Sequence, residues 1–495
     1  MSVSHRIPIA VLLLCAFGLG LFHIVSNDVW WHLASGRWVA EYFSIPYADP
    51  FSYTTSGERW IYHNWLFDLP LYIVERAGGV TGLILLRAFL VVLLAVAVYV
   101  TLSKQTSSAT AAVLTVMVLI AVRDRFFLRP HLASFIFFTI ELSLLSALYK
   151  KDKIDPMSAA CWLVPVVMFF WANMHAGAIF GIILIASFWV SSMLERKNKN
   201  SFLVLLCVSF AAGLLNPNLM EIYVYPFKFL AIKQSLPFVN EEHMPPGWLT
   251  KEPRLALFWI FSIVGALAFL LGIKKAPPYL TILYLGFGWL ALTSMRGIAL
   301  FTIINAFAIS KLWLKNINGK PALVLMPFIT AVALYLHPYK MKFEVAELTA
   351  PVSAADFVEK SGIKGNMFNS HPFGGYLIHR FYPNRKVFID GRDVLHEKTM
   401  RLINEFGYRK SLFAYRVEWI IAGYRDGVLK ELPKEVWSVI FFDDVSVVLA
   451  RRFSQNDKLI EKYGYRHITP FNLEKRIKKA KPDEIDAIEK ELKRA

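Results

Sequence analysis

Apolar residues in this chain gather in long uninterrupted runs rather than in the short alternations of a soluble domain. Runs near span length recur at 7–25, 80–103, 107–122, 131–149, 158–172, 177–194, 202–219, 255–273, 279–295, 298–314 and 321–337, each close to what an α-helix needs to cross a hydrocarbon core. The pattern predicts a mainly α fold, a polytopic transmembrane helix bundle of about eleven spans. Past about Glu344 no run of that length remains, and polar and apolar residues mix. There "VSAADFVEK" reads as helix, and "GNMFN", "KVFID", "EWIIAG", "WSVIFF" and "VSVVLA" read as short strands, which predicts a small C-terminal α/β domain. The expected organisation is a membrane domain at 1–340 with long connections at about 26–79 and 216–254, the α/β domain at 341–453, and a charged helical tail at 454–495.

The connections set an orientation. Alternate ones are basic: Lys104, Lys150 to Lys153, Glu195 to Lys199, Lys274-Lys275 and Lys311 through Lys320. By the positive-inside rule these face the cytoplasm. The N-terminus is then cytoplasmic, and the two long connections and the C-terminal domain are extracytoplasmic. The first run, Ile7 to Val25, lacks a clear small-x-small cleavage site and is expected to stay as a span of a multi-pass plasma (inner) membrane protein. Composition agrees: 56% of residues are hydrophobic, above the roughly 45–50% of soluble proteins. The net charge of +17 would point to nucleic acid in a soluble protein. Here it reads as orienting charge against anionic membrane lipid, with no nucleic-acid partner expected. Cys15, Cys161 and Cys207 lie far apart inside apolar runs, without metal-ligand spacing or a disulfide framework.

Candidate chemistry collects in the predicted outer connections. In "NDVWWHLASGRW" Asp28 and His32 are four apart, on one face if helical; Trp30, Trp31 and Trp38 suit an interfacial belt. Asp49 follows in "ADPFSYT", then His63 and Trp65 in "WIYHNWL". The plainer reading is an interface anchor carrying solvated acids. The chemical reading is glycosyl transfer from a lipid-linked sugar: a carboxylate takes the proton of an attacking hydroxyl, aromatic faces hold sugar and prenyl chain, and cations neutralise the departing phosphate. Cations stand ready in "RDRFFLRPH", with Arg123, Arg125, Arg129 and the neighbouring His131, while Arg87 and Arg296 interrupt apolar runs. An arginine at membrane depth calls for a partner; the expected phosphate binders are Arg129, Arg296 and Arg87, with snorkelling as the alternative. Asn173 and His175 in "FFWANMHAGAIFG", and Glu241, Glu242 and His243 in "VNEEHMPPGW", either line the cavity or form polar turns. In "HPFGGYLIHRFYPNRKVFIDGRD" the plain reading pairs Asp390 with Arg392 at a strand end.

The stretches "DVWWHLASGRWV", "IPYADPFSYTTSGERWIYHNWL", "NPNLMEIYVYPF", "NEEHMPP" and "NMFNSHPFGGYLIHRFYPNRKVFIDGR" resemble bacterial multispan proteins assigned to the GT-C glycosyltransferase superfamily. That resemblance implies an outer-face site, a polyprenyl-phosphate-linked sugar donor and an acceptor that is protein, lipid or polysaccharide. It implies that Asp28 is the catalytic acid of the first outer loop. Asp49 is then a second loop acid, serving acceptor or metal, with magnesium or manganese as the cofactor such enzymes sometimes take. Asn64 stands where the group has an acid, which leaves open a catalytically inactive scaffold of envelope assembly. A transporter or lipid-handling protein is the other alternative; it would call for repeated halves, and no repeat is evident.

Overall fold

A computed structural model describes residues 3–232, 242, 244–247, 255–314, 320–335, 339, 341–346, 349–433, 435–471, 473–478 and 484–494. Glu241 and His243 lie outside the described residues. The chain divides into two units. The first comprises Met1–Ile24, Ile61–Pro226 and Val239–Glu344; the second comprises Val25–Trp60, Phe227–Phe238 and Val345–Ala495.

In the first unit a helix occupies each of the predicted apolar intervals: α1 (Val3–Gly20), the second half of α3 (Trp65–Ser103), α4 (Ser108–Val122), α5 (Pro130–Tyr149), α6 (Ala159–Met174), α7 (Ile179–Leu194), α8 (Lys199–Gly213), α10 (Ala256–Gly272), α11 (Pro278–Thr293), α12 (Ile298–Leu312) and α13 (Lys320–Tyr335). Among the described residues two further helices lie outside those intervals: α2 (Val29–Tyr42), which belongs to the second unit, and α9 (Glu221–Ile232), which is divided between the two. Among the described residues five helical segments, Trp65–Ser103, Pro130–Tyr149, Ala176–Leu194, Ala256–Lys275 and Met295–Leu312, are long and apolar enough to cross a bilayer. The expected connection 26–79 is shorter than the apolar pattern implied. Helix α3 already starts at Trp65 and bends at Gly79, whose positive φ of 56° a glycine tolerates without strain. Helix α12 is buried from Ile298 through Ser310, as an element apolar on every side must be. Its Asn305 accepts a hydrogen bond from Tyr284 Oη of α11 at 2.8 Å and donates to the Phe261 carbonyl of α10 at 2.8 Å. A side chain at Gly265 would collide with that amide, so one polar residue tells three helices how to pack.

The second unit is built on a four-stranded sheet of β1 (Asn366–Asn369), β2 (Val417–Gly423), β3 (Trp437–Phe442) and β4 (Ser446–Arg451), in the order β1-β2-β4-β3. The β1–β2 pair is parallel, and β2–β4 and β3–β4 are antiparallel. Its strands are buried nearly throughout. Helices α14 (Val352–Ser361), α15 (Gly374–Phe381), α16 (Glu397–Ala414), α17 (Val428–Glu431), α18 (Asp457–Tyr463), α19 (Leu473–Lys478) and α20 (Ile485–Leu492) complete the described elements. The predicted strand "KVFID" is not one. Val387 makes an isolated parallel bridge with Ser52, and the side chain of Asn369 takes the place of a ladder, accepting from Phe388 N–H at 2.8 Å and donating to the Ile389 carbonyl at 2.7 Å. The charged helical tail is not one continuous helix either. It breaks into α18, α19 and α20, Ile468 and Ile488 join the buried core, and the Glu491 carboxylate accepts the backbone N–H groups of Arg466, His467 and Ile468.

Candidate functional site

In the second unit α2 begins immediately after Asp28. That carboxylate makes no capping hydrogen bond to its own helix and instead lies against Gly391, where a Cβ would run into Asp28 Oδ1. Helix α2 packs on α15, and Gly375 leaves room for the Asn27 carbonyl and Trp31. Of the tryptophans expected at a membrane interface, Trp30 and Trp31 are buried in protein and Trp38 is half-buried. Trp30 stands edge-on to Tyr376 with centroids 5.3 Å apart, and Trp38 lies 4.3 Å from Tyr42. His32 is buried and packs against the Trp31 ring at 3.6 Å. Trp31 Nε1 is buried with no hydrogen-bond partner among the described residues; a Cβ at Gly391 would come 3.5 Å from it. The Trp31 N–H and the Asp28 carboxylate thus both lie close to Gly391.

Behind them lies a charged cluster. His371 Nε2 is 2.8 Å from Asp393 Oδ1. Burial pushes the imidazole down, but the hydrogen bond and charge of Asp393, then the charges of Asp28 and Asp390, outweigh it and raise its pKa. Arg392 donates from Nε and Nη2 to the two oxygens of Asp390, both at 2.7 Å, and from Nη1 to Asp49 Oδ1 at 2.8 Å. His396 Nε2 lies 2.9 Å from Asp390 Oδ2. Burial raises the Asp390 carboxyl, yet Arg392 and His396 hold it well below the usual carboxylate range. The plain sequence reading of an Asp390–Arg392 pair is thus what the structure contains. Asp49 is wholly engaged: besides Arg392 it accepts from Phe51 N–H at 3.0 Å, Ser52 N–H at 3.2 Å and Thr55 Oγ1 at 2.6 Å. A carboxylate so occupied does not fit a metal shared with Asp28. Among the described residues no group of three His, Cys, Asp or Glu is arranged to hold an ion, so the magnesium or manganese expectation finds no ligand set there. Sequence reasoning missed His371, Asp393 and His396. Their signal was the pair of acids closing "IDGRD" and the histidine before "PFGG".

In the first unit Glu242 gathers three arginines from separate elements. Its Oε1 is 2.9 Å from Arg129 Nη1 and 3.3 Å from Arg125 Nη1, and its Oε2 is 3.3 Å from Arg296 Nη2. Arg129 immediately precedes α5, whose Pro130 is pre-set for a first helical turn. Burial raises the Glu242 carboxyl, but Arg125, Arg129 and Arg296 outweigh it and hold it well below the ordinary range. His131 Nε2 lies 2.8 Å from the Arg125 carbonyl and fixes that loop. Arg123, 6% exposed, has Nε and Nη1 without hydrogen-bond partners among the described residues. The structure thus brings together Arg125, Arg129, Arg296, His131 and Glu242, each a candidate named from the sequence.

The remaining candidates are placed elsewhere. Arg87 caps α1: it donates to the carbonyls of Gly20 at 2.9 Å, His23 at 3.4 Å and Phe22, and its guanidinium lies 3.4 Å above the Phe22 ring. A helix end inside a membrane needs such a donor, so the phosphate role expected of Arg87 gives way to a structural one. Arg87→Met is expected to lower the thermal midpoint while leaving affinity for undecaprenyl phosphate within about twofold; a large loss of affinity at unchanged stability would restore the phosphate assignment. Trp65 Nε1 donates to Asn173 Oδ1 at 2.8 Å, and Asn173 donates on to the carbonyls of Phe169 and Leu215. His175 Nδ1 accepts from Gly177 N–H at 3.1 Å and lies 2.7 Å from Ser134 Oγ. His63 Nδ1 lies 3.1 Å from the Ile61 carbonyl, with the ring 4.6 Å from Tyr225.

No family model matches the chain, and no curated protein matches it. Solved structures do. The archaeal oligosaccharyltransferase AglB from Archaeoglobus fulgidus, in complex with an inhibitory peptide and a dolichol-phosphate, superposes with a TM-score of 0.62 at 11% identity, over 86% of this chain and 70% of that one. The A. fulgidus oligosaccharyltransferase in complex with Zn and sulfate gives 0.59 at 12% identity over 90% and 73%. ArnT from Cupriavidus metallidurans bound to undecaprenyl phosphate gives 0.52 at 11% identity over 90% and 98%. The chain shares the fold of these proteins. At such identities the likeness is one of fold; the chemistry rests on the residues above.

Proposed function

We propose that the chain is an integral membrane glycosyltransferase that moves a sugar or glycan from a polyprenyl-phosphate-linked donor to an acceptor on the extracytoplasmic face. The observation that carries this reading is the cluster of Arg125, Arg129 and Arg296 around a single Glu242. Three cations against one anion leave an excess of positive charge that suits a phosphate. Asp28 is the base. It takes the proton of the acceptor hydroxyl, the oxygen forms a bond to the anomeric carbon, the bond from that carbon to the phosphate oxygen breaks, and polyprenyl phosphate leaves with inversion. In this reading Trp31 holds the acceptor oxygen, a role supported by its buried indole N–H, which has no partner among the described residues. Asp49 builds the unit rather than taking part in the chemistry. The basic connections support a cytoplasmic N-terminus, eleven spans and an extracytoplasmic C-terminal domain.

The test is turnover of undecaprenyl-phosphate hexose by the purified full chain in nanodiscs, read as released undecaprenyl phosphate. Arg129→Gln is expected to weaken undecaprenyl phosphate binding by roughly 10–100-fold, the worth of one charge-assisted contact. Glu242→Gln is expected to tighten it, because the competing anion is gone. Unchanged binding in both variants would remove the phosphate assignment. One observation favours transport instead: Glu141 of α5 is fully buried, lies against Gly181, and neither carboxylate oxygen has a hydrogen-bond partner among the described residues. An acid at that depth is what proton coupling would need. Transport of undecaprenyl-phosphate hexose across a sealed vesicle membrane that depends on a pH gradient, with no bond cleavage, would decide for that reading.

A further inference from the structure

In the first unit three span-length helices meet around a cavity that glycosyl transfer leaves unused. Helix α3 packs on α5, and α12 packs on both. Helix α3 ends at Ser103 and α5 at Tyr149, and the residue closing each is a lysine, Lys104 and Lys150. Both lysines line a cavity of about 230 Å³, together with Gln105, Thr101 and Ser143. That is room for a phosphate group and several waters at roughly 30 Å³ each. Lys104 Nζ donates to Ser143 Oγ at 2.9 Å, and Lys150 Nζ donates to Gln105 Oε1 at 3.2 Å. Both acceptors are neutral, and no carboxylate is among the residues lining the cavity. A lysine at a helix C-terminus offsets the negative end of the dipole, which accounts for one at each end. It does not account for two ammonium groups brought to one cavity with hydroxyl and amide groups beside them. The backbone beneath is held in place. The N–H groups of Gln105 and Thr106 both donate to the Leu102 carbonyl, and Thr106 Oγ1 donates to the Leu314 carbonyl, just past α12, at 2.6 Å.

We propose that this cavity binds the phosphodiester of an anionic phospholipid, with Lys104 and Lys150 offsetting its charge and Gln105 and Ser143 donating to its oxygens. The chemistry by itself suits any phosphate; the surface beside the cavity favours a lipid. Leu85, Phe89, Leu93, Val96 and Val100 are all exposed on α3, and steps of three and four make them one row along the helix. Lys104, which keeps helical backbone angles, continues that row four residues on. An acyl chain along the row would bring its headgroup to Lys104, and both lysines are exposed enough to be reached. Basic pockets between spans are where anionic headgroups bind. The site is independent of Asp28 and of the arginines around Glu242. Only its assignment to the cytoplasmic leaflet rests on the topology proposed above.

The test is native mass spectrometry of the delipidated full chain in detergent, titrated with phosphatidylglycerol, phosphatidylcholine or inorganic phosphate. Wild type is expected to bind a first phosphatidylglycerol roughly tenfold more tightly than phosphatidylcholine, whose choline cation meets the lysines with like charge. Lys104→Gln combined with Lys150→Gln is expected to weaken that first binding by roughly 10–30-fold, the worth of two lysines at a lipid surface. Lys274→Gln combined with Lys275→Gln removes two charges from another basic connection and should change it by less than about twofold. Ala147→Phe keeps both lysines but fills the cavity, which Ala147 also lines, and should weaken binding as the Lys104 and Lys150 pair does. Added phosphatidylglycerol should raise the thermal midpoint of wild type, and this rise should vanish in the Lys104 and Lys150 pair while persisting in the Lys274 and Lys275 pair. Equal loss in the Lys274 and Lys275 pair, unchanged binding in either cavity variant, or equal affinity for phosphatidylcholine would overturn the proposal. Inorganic phosphate binding as tightly as phosphatidylglycerol would overturn the lipid and make a soluble phosphate the occupant.

Discussion

Asp28→Asn is expected to cut sugar transfer by roughly 10²–10⁴-fold, the usual contribution of a positioned general base. Yield and thermal midpoint should stay close to wild type, because an amide fills the same volume as the carboxylate. Binding of undecaprenyl phosphate should also persist, since the arginines around Glu242 are untouched. The measurement is single-turnover release of undecaprenyl phosphate beside a binding isotherm for the same lipid. Full turnover at normal protein level removes Asp28 from the chemistry. Lost turnover together with lost binding would mean that the substitution disturbs the fold instead. Asp28→Glu adds a control: it keeps the charge but moves the oxygens toward Gly391, where space is already short. A partial loss is expected there, and complete recovery would mean that the position of the carboxylate is not critical.

The apolar pattern made the helices legible, because a run of span length can satisfy its backbone in a membrane only as a helix. It made β1, β2, β3 and β4 legible too, since short apolar segments bounded by turn residues have few other uses. Tertiary partnership was not legible. Nothing local says that Val25–Trp60 belongs with Val345–Ala495, or that "KVFID" is pinned by Ser52 and Asn369 rather than by a neighbouring strand. The same gap misled the reading of the site. Asp49 looked like a second reactive acid because its sequence neighbours are aromatic and polar; its actual partner, Arg392, lies 343 residues away. Arg87 looked like a phosphate ligand because an arginine inside a span needs a counterpart, yet carbonyls at the end of α1 supply it. The cluster around Glu242 could be anticipated as separate charges but not as one constellation, since "RDRFFLRPH", "NEEHMPP" and "SMRGI" are joined only by folding. His371 escaped notice because a histidine beside proline and glycines reads as a turn.

Arg392→Met is expected to have the largest effect on stability. The guanidinium is 3% exposed and holds Asp49 and Asp390, each with a side chain fully buried. It also lies 4.6 Å above the Trp60 ring. Methionine retains much of the apolar stem but leaves two buried carboxylates with His396 and a few neutral donors. Breaking a buried pair from one side costs about 3–5 kcal/mol. Arg392→Lys keeps the charge and loses the two-pronged contact with Asp390, so a smaller loss is expected. Asp49→Asn keeps Asp390 paired and should be milder than Arg392→Met. Protease susceptibility of the segment 345–495 in the full chain, followed against denaturant, ranks the three variants. Acid adds an independent check. In wild type the Asp390 value is depressed, so its stabilising contribution is present above the ordinary carboxylate value of about 4 and is lost as pH falls toward the lowered value. Without Arg392 the depression disappears, and protonating Asp390 then relieves a buried charge. Wild type should therefore lose stability as pH falls below about 4, while Arg392→Met should hold steady or gain. Parallel acid curves for the two proteins would show that Asp390 is not held by Arg392 in solution.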